Sequence, residues 1–246
     1  MDVVQGKQGE AFKGLLVNSL PSLVAAAHEL KSPLTLVRQL SLMLESDNVS
    51  LSDQKRMLRQ ISLTSERALR LTNDLTRSAR LTDAMFTMEP INPQQLCEDI
   101  VYELGPLFLA NDRNVRLKSY KHPLLLVANR DLLRRIIMSF SDNALHYTGD
   151  DCAVEIQIKA FNSGKIIRLG VRDYGPALSS DMWKSLKGKL SKSNMPINAR
   201  PQSSGLGLYI ASQFANAMNG SIGVIRHRDG ATFYVDLQAS KQLSLL

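Results

Sequence analysis

The chain has 246 residues, of which 44% are hydrophobic and 22% charged, a composition typical of folded domains and unlike that of disordered chains. No apolar run approaches the roughly 20 residues of a membrane span and no signal peptide opens the sequence, so a soluble cytoplasmic chain is expected. The net charge of +7 comes from scattered residues and does not separate nucleic acid, nucleotide and acidic protein partners. Cys97 and Cys152 lack metal-like spacing and are predicted to be reduced thiols.

The first predicted helix is recognised by a four-then-three spacing, which is typical of a packed helical seam. The seam consists of Leu16, Leu20, Leu23, Ala27, Leu30, Leu34, Val37, Ser41 and Leu44. His28 lies one residue off this seam and is expected on the accessible flank, with Pro33 bending the helix one turn later. A histidine beside Glu29 on a helix suggests a nucleophile, and the alternative is an exposed histidine without chemistry.

A second helix is predicted to begin at the N-cap Ser52, with Asp53 and Gln54 in its first turn. Its seam has the same spacing and consists of Met57, Ile61, Thr64, Ala68, Leu71 and Leu75. The short polar link at residues 46–50 makes the two helices an antiparallel hairpin. One hairpin cannot bury its own apolar stripe, so packing alone predicts a homodimer closed as a four-helix bundle.

Residues 89–93 are interpreted as a linker, and the periodicity beyond them is mixed. Predicted helices cover about 93–110, 130–146 and 206–218, and predicted strands cover about 115–120, 124–127, 154–161, 166–172, 221–227 and 231–237. A long irregular segment separates residue 172 from the last helix. This order predicts an α+β fold in which helices cover one face of a mixed sheet.

Three features of this second half are suited to nucleotide chemistry. Asn143, near a helix end, offers an amide oxygen to magnesium beside phosphates, although asparagines there are often only caps. Asp173, in an Asp-Tyr-Gly turn after a strand, can accept from an adenine amino group while Gly175 allows close backbone approach; an ordinary turn is the alternative. The run Ser203 to Leu208 opens a helix whose N–H groups can receive phosphate. Their order, completed by Gly230 to Phe233, is stronger evidence than any one motif.

On these residues the sequence resembles the sensor histidine kinases of bacterial two-component systems, over about residues 17–238. The resemblance implies an N-terminal segment at 1–16, a dimerisation and histidine-phosphotransfer hairpin at 17–87, and a Bergerat-type α/β sandwich ATP-binding domain at 88–246. It also implies an autokinase that uses ATP and Mg2+ to phosphorylate His28 and passes the phosphoryl group to an aspartate on the receiver domain of a response regulator.

The resemblance assigns roles residue by residue. His28 matches the phosphorylated histidine, Glu29 the acid that activates or orients its ring, and Ser32 a position linked to a phosphatase activity toward the regulator. Asn143 matches the magnesium ligand and Asp173 the adenine-reading carboxylate. The other expected nucleotide contacts are His146, Tyr147, Gly175, Arg200, Gly205, Leu206, Gly207 and Leu208. Residues 177–204 would form the lid over ATP, with Lys184, Lys187, Lys189, Lys192 and Arg200 as candidate phosphate contacts.

The sequence departs from the family pattern at several positions. Ser139 stands where these kinases have a second Asn and ATP-hydrolysing relatives have a catalytic Glu, which favours a kinase over an ATPase. His146 replaces a common Lys, Pro176-Ala177 replaces the usual second glycine, and Met182-Trp183 with Leu186 replace a Phe-rich lid motif. These changes keep open a catalytically weak or inactive scaffold, or a phosphatase.

Two further alternatives are weighed against the hairpin and the charge pattern. A serine kinase of the anti-sigma type would lack the hairpin and His28, and direct nucleic-acid binding is not expected.

The first 16 residues are too few for an input domain. The signal is therefore expected from an upstream sensor protein, from contacts at the helix end, or from a sensor region outside this sequence.

Overall fold

A computed structural model describes residues 26–45, 49–79, 86–118, 124–149, 152–190 and 205–241. Helix α1 covers residues 26–44 and stays helical through Pro33, and α2 spans Leu51–Ala79. The first three predicted seam residues lie outside the described residues. Within the described ranges, none of the helices combines the length and apolar composition that crossing a bilayer requires.

The residue that caps the N-terminus of α2 differs from the predicted one. Ser50, rather than Ser52, caps the helix, because its Oγ accepts from the backbone N–H of Asp53 at 3.2 Å. The Ser50 hydroxyl also donates to the Asp53 carboxylate at 2.6 Å, which resembles a capping box. Leu51 therefore already belongs to the first turn, and the helix begins two residues earlier than a cap at Ser52 allows.

The hairpin leaves much of its apolar surface uncovered in a single chain. Leu34 of the predicted seam is 60% exposed, and Leu58 and Leu69 beside the second seam are 58% and 64% exposed. Leu40 is buried although it lies outside the predicted seam, whereas Ala27 and Ser41 of the seam are exposed, so the prediction places part of the packed stripe one residue too late. Apolar side chains placed in rows along both helices form a surface that another protein surface can cover.

The remaining elements confirm the predicted α+β layer arrangement. In chain order they are β1 (Glu89–Ile91), α3 (Pro93–Leu109), β2 (Asn114–Leu117), β3 (Leu126–Ala128), α4 (Arg130–Tyr147), β4 (Ala153–Phe161), β5 (Ile166–Asp173), α5 (Ser180–Leu190), α6 (Leu206–Ala217), β6 (Ser221–His227) and β7 (Gly230–Gln238). Five strands form one sheet in the order β2-β4-β5-β7-β6. Only β2 pairs in parallel, with β4, so the sheet is mixed.

The interpretation of residues 89–93 as a linker was wrong. Residues 89–91 form strand β1, which pairs antiparallel with β3 and sets Ile91 opposite Leu126. Both side chains are buried, so the segment contributes to the core, and Asn92 caps α3 by accepting from the backbone N–H of Gln94 at 3.0 Å. A strand of three residues is too short to show a period, and Pro90 favours a linker interpretation.

The two faces of the main sheet differ in character. Along β5 the buried side chains of Ile167, Leu169 and Val171 alternate with Arg168 and Arg172, because neighbouring strand residues point to opposite faces. The apolar face packs under α3, α4 and α6, whose largest fully buried side chains are Phe108, Phe140 and Phe214. The other face carries charged and aromatic side chains.

The two cysteines should differ sharply in reactivity. Cys97 is fully buried in α3, and burial raises the pKa of its thiol to about 12, whereas Cys152 is exposed. Because the thiolate is the reactive form, we expect Ellman's reagent at about pH 8 to modify Cys152 quickly and Cys97 only after unfolding. A Cys152→Ser variant gives the control, and rapid labelling of that variant in buffer would contradict the buried position of Cys97.

Candidate functional site

The carboxylate of Asp173 is fixed at the end of β5. Asp173 is 2% exposed, and its Oδ1 accepts from the backbone N–H groups of Gly175 at 3.3 Å and Ala231 at 3.2 Å. Gly230, with φ of 125°, lets β7 begin beside it, since a Cβ there would lie 2.6 Å from the same Oδ1. The sheet end thus holds a buried and oriented acceptor, which Gly230 supports; the sequence motif that contains Gly230 did not indicate this role.

Gly175 brings the Asp-Tyr-Gly turn into contact with the end of α4. A Cβ on Gly175 would lie 1.9 Å from the carbonyl oxygen of Tyr147, so this approach requires glycine. Two hydrogen bonds fasten the same pair of segments: Gly149 N–H donates to the Tyr174 carbonyl at 3.0 Å, and Tyr174 N–H donates to Thr148 Oγ1 at 3.3 Å. The carboxylate and the end of the Asn143 helix therefore form one rigid unit.

The start of α6 has a backbone geometry suited to an anion. Gly205 is its N-cap in the left-handed region, at φ of 72°, and makes no side-chain capping bond. The first turn packs against α4, because a Cβ on Gly207 would lie 2.9 Å from Ser139 Oγ. Ser139 stands one turn before Asn143, so the helix start and the amide share one side of the domain. The N–H groups of a helix's first turn and the helix dipole favour a phosphate there.

These residues fit a nucleotide and a magnesium ion. Asn143 is half-buried and can offer an oxygen ligand, and the described ranges contain no group of three or more His, Cys, Asp or Glu residues able to hold a metal. Magnesium bound to nucleotide phosphates commonly keeps waters and takes few protein ligands, so a single amide suits it. The buried acceptor at Asp173 suits the base of such a ligand, and the helix start at Gly205 suits its phosphates.

Several predicted contacts lie elsewhere or outside the described part. Leu206 and Leu208 are buried in the core, so only their backbone can face a ligand. Tyr147 contributes its carbonyl to the Gly175 contact. Lys184 and Lys187 are exposed on α5, and Lys187 lies 5.3 Å from the Trp183 ring centre. Lys192 and Arg200 lie outside the described residues, as do the side chains of His146 and Lys189.

The expected irregular segment after Asp173 was wrong in part, because it contains helix α5. Ser179 caps this helix by accepting from Met182 N–H, and Arg226 of β6 donates to the Leu178 carbonyl at 2.6 Å. Leu186 is buried on the apolar side of α5. The helix was missed because its eleven residues include several lysines and a glycine, which weaken the periodic signal.

The phosphoacceptor candidate lies on the exposed side of α1. His28 is exposed, as its position off the seam predicted, and Ser32 is exposed one turn later. Glu29 instead is half-buried and lies within electrostatic range of Arg67 and Asp142. Burial raises the pKa of Glu29, with Arg67 acting in the lowering direction and Asp142 in the raising direction. Glu29 therefore faces the ATP-binding half, where Asp142 directly precedes Asn143.

A set of ion pairs joins α2 to α4, and the sequence analysis missed it. Asp142 lies 3.7 Å from Arg67 and 3.8 Å from Arg70, and Arg77 lies 3.3 Å from Asp131. Arg135 pairs with Asp74 in the same row. The residues of α2 in this row are Arg67, Arg70, Asp74 and Arg77, whose three-four-three spacing places them on one helix face. This stripe of charged residues is the sequence feature that could have indicated a contact with another helix.

Several known proteins are similar to this chain in sequence. Residues 128–241 match the protein family described as "Histidine kinase-, DNA gyrase B-, and HSP90-like ATPase". The sensor protein kinase PmrB of Pseudomonas aeruginosa is 29% identical over 210 residues, which is 83% of this chain and 42% of PmrB. The hybrid signal transduction histidine kinase K of Dictyostelium discoideum is 25% identical over 229 residues, covering 86% of this chain and 19% of that protein. The chain thus spans less than half the length of these relatives.

Solved structures support the fold. Full-length ShkA in complex with AMPPNP has a TM-score of 0.58 and 22% identity, covering 91% of this chain and 47% of ShkA. The histidine kinase ThkA in complex with the response regulator TrrA has a TM-score of 0.60 and 12% identity, covering 98% of this chain and 69% of ThkA. The chain is therefore similar to the sensor histidine kinases over most of its length, and residues 128–241 match the family of histidine kinase-, DNA gyrase B- and HSP90-like ATPases.

Proposed function

We propose that this chain is an ATP-dependent protein-histidine autokinase that phosphorylates His28 and passes the phosphoryl group to an aspartate of a response regulator in cytoplasmic two-component signalling. The observation that carries this proposal is the pairing of two features in one chain. Asp173 and the start of α6 at Gly205 fit a nucleotide, and the exposed His28 adjoins Glu29, whose carboxylate is within electrostatic range of Asp142 beside Asn143.

Each residue has a defined task in the proposed reaction. A ring nitrogen of neutral His28 attacks the γ-phosphorus of ATP, a nitrogen–phosphorus bond forms, and the bond to the bridging oxygen breaks to release ADP. Glu29 holds or accepts the proton of the other ring nitrogen. Asn143 would hold Mg2+, which neutralises phosphate charge. Ser139 cannot act as a base toward water in place of a carboxylate, so phosphoryl transfer is favoured over ATP hydrolysis.

The proposal extends to partners and to a second activity. The exposed Leu34, Leu58 and Leu69 support a homodimer in which two hairpins close a four-helix bundle. A response regulator is the proposed acceptor, and ThkA, of similar fold, was solved with such a regulator. Ser32 is exposed one turn from His28, where a hydroxyl can position water, so we also propose phosphatase activity toward the same regulator.

Incubation of the protein with γ-labelled ATP and magnesium tests the proposal. We expect label that survives alkali and is lost in acid, which is the behaviour of phosphohistidine, and we expect transfer to an added receiver domain. Acid-stable label would point to a hydroxyl acceptor and the serine-kinase alternative. Nucleotide binding without label, in a folded dimer, would favour a phosphatase, and absence of nucleotide binding would favour an inactive scaffold.

The raised pKa of Glu29 predicts the pH dependence of autophosphorylation. A base acts only when deprotonated, so the rate should rise with pH through a range above that of an ordinary glutamate. Arg67→Gln removes the charge that lowers this pKa and should move the rise to still higher pH. Arg59→Gln, an exposed change on the same helix, should leave the profile unchanged.

A double variant tests whether Glu29 is the group that sets this pH dependence. In a Glu29→Gln background the rate should fall by about 100-fold or more, and Arg67→Gln should no longer shift the profile. An equal shift from Arg67→Gln with and without Glu29 would contradict the assignment.

A further inference from the structure

The sheet face turned away from the helices carries a concave basic pocket. Gly170 and Arg172 of β5 lie in its lining together with Lys118, Lys159 and Arg168. Among the described residues, four lysine and arginine side chains line the pocket and no acidic side chain does. Arg172 shares its face with Arg168, whereas Asp173 belongs to the opposite face. This pocket is therefore separate from the nucleotide site.

The two arginines of the pocket are held in place by hydrogen bonds to carboxylates. Arg168 donates to both carboxylate oxygens of Asp236 at 2.7 Å, and its guanidinium centre lies 3.5 Å from the Tyr234 ring centre. Arg172 is only 5% exposed and donates to Asp229 Oδ1 at 2.6 Å and to the backbone carbonyl of Asp173. Each arginine is thus neutralised by one carboxylate and gives the pocket a rigid wall.

The two lysines provide charge that is not neutralised. Lys118 and Lys159 are exposed, and neither forms an ion pair with an acidic side chain in the part of the chain that the structure describes. Holding two ammonium groups beside two arginines is electrostatically unfavourable unless an anion joins them. The charge left over in the pocket is that of two lysines, which matches a dianion.

Gly170 keeps the centre of the pocket open. A Cβ at this position would approach Thr232 Cγ2 at 3.0 Å, so a side chain would occupy the concave surface. Gln157 and His227 add polar groups to the lining, and His227 shares a hydrogen bond with Thr232 Oγ1 at 2.9 Å. The pocket therefore combines free positive charge with neutral polar groups around an open centre.

We propose that this pocket binds a phosphate dianion, either inorganic phosphate or the phosphate group of a monoester. Lysines bind phosphate as point charges, and the two uncompensated lysines balance its two charges. The bound anion would lie on the opposite face of the sheet from the Asp173 side chain. Arg172 connects the two sites, because it lines the pocket and donates to the backbone carbonyl of Asp173.

The proposal is tested by titrating inorganic phosphate into the full chain at low ionic strength and following backbone amide signals by NMR. We expect saturable shifts at Lys159, Gly170 and Thr232. The Lys118→Gln/Lys159→Gln variant should bind at least about 10-fold more weakly, since it loses two charge-assisted contacts. Lys165→Gln, an exposed lysine in the turn between β4 and β5, is the matched control and should bind like the parent.

His227 supplies a second readout. Burial lowers the pKa of His227, and the charges of Arg172 and Lys159 lower it further against the opposing effects of Asp229 and Asp173. A phosphate in the pocket should raise this pKa, because an anion stabilises the imidazolium form. The rise should appear in the parent and in Lys165→Gln, and it should be absent from the double variant.

Two further titrations separate the sources of the phosphate and set the limits of the proposal. Tighter binding of phenyl phosphate than of inorganic phosphate would identify a monoester ligand, and the reverse order would identify free phosphate. Acetate should bind at least about 10-fold more weakly, because it carries one charge. Equal binding of acetate, phosphate shifts confined to Gly205 and Gly207, or unchanged affinity in the double variant would each overturn the proposal.

Discussion

Replacing His28 by glutamine should lower the amount of acid-labile phosphoryl label more than about 1,000-fold. No other group in the proposed mechanism supplies the attacking nitrogen. The side chain is exposed on α1, so the substitution removes no buried contact and should leave the fold and dimer unchanged. Nucleotide affinity should stay within about twofold of the parent, because the proposed nucleotide contacts lie on other elements. Label incorporation measures phosphorylation, nucleotide titration measures affinity, and size-exclusion chromatography measures the dimer, all on the same sample.

His227→Gln is the matched control for this experiment. His227 lies in β6 on the open face of the sheet, so its replacement should leave autophosphorylation intact. Acid-labile label of undiminished amount on the H28Q variant would assign phosphorylation to another histidine. Loss of label together with loss of nucleotide binding would instead show that the substitution had damaged the ATP-binding half.

The predicted elements that matched best are long or strongly periodic. The strands β4, β5, β6 and β7 were predicted to within one residue at each end, because their buried residues alternate or run continuously. Strand β1 and helix α5 were missed, since three residues show no period and a lysine-rich amphipathic helix resembles a solvated loop. The cap of α2 was misplaced by two residues because Ser50 and Ser52 are both good caps.

The site could be predicted from motifs but its supporting contacts could not. Asp173 and Gly175 stand in a recognisable order, whereas the contact between Gly175 and the Tyr147 carbonyl depends on how two distant segments pack. The pairing of Arg67 and Arg70 with Asp142 is also tertiary, because a charged stripe on a helix does not specify its partner. Residue types can indicate chemistry, but close approaches are set by the packing of the whole domain.

Gly175→Ala should disrupt the nucleotide site more than any other single-methyl addition there. The new Cβ would lie 1.9 Å from the Tyr147 carbonyl oxygen and 2.7 Å from its carbon, so the turn must move. The hydrogen bonds from Gly149 to Tyr174 and from Tyr174 to Thr148 oppose that movement. We expect unfolding free energy to fall by about 2–4 kcal/mol, the range of strained backbone substitutions in packed sites.

The same movement displaces the carboxylate of Asp173, because Gly175 N–H donates to it. Nucleotide affinity should therefore fall by about 100-fold, equivalent to about 2.7 kcal/mol, in a titration that follows the fluorescence of Trp183, the single tryptophan of the chain. Gly105→Ala in α3 adds the same methyl group on a helix that carries none of the proposed nucleotide contacts, and nothing lies within 4 Å of the new Cβ. That control should keep nucleotide affinity. If G175A bound nucleotide as tightly as G105A, the contact with Tyr147 would not position Asp173.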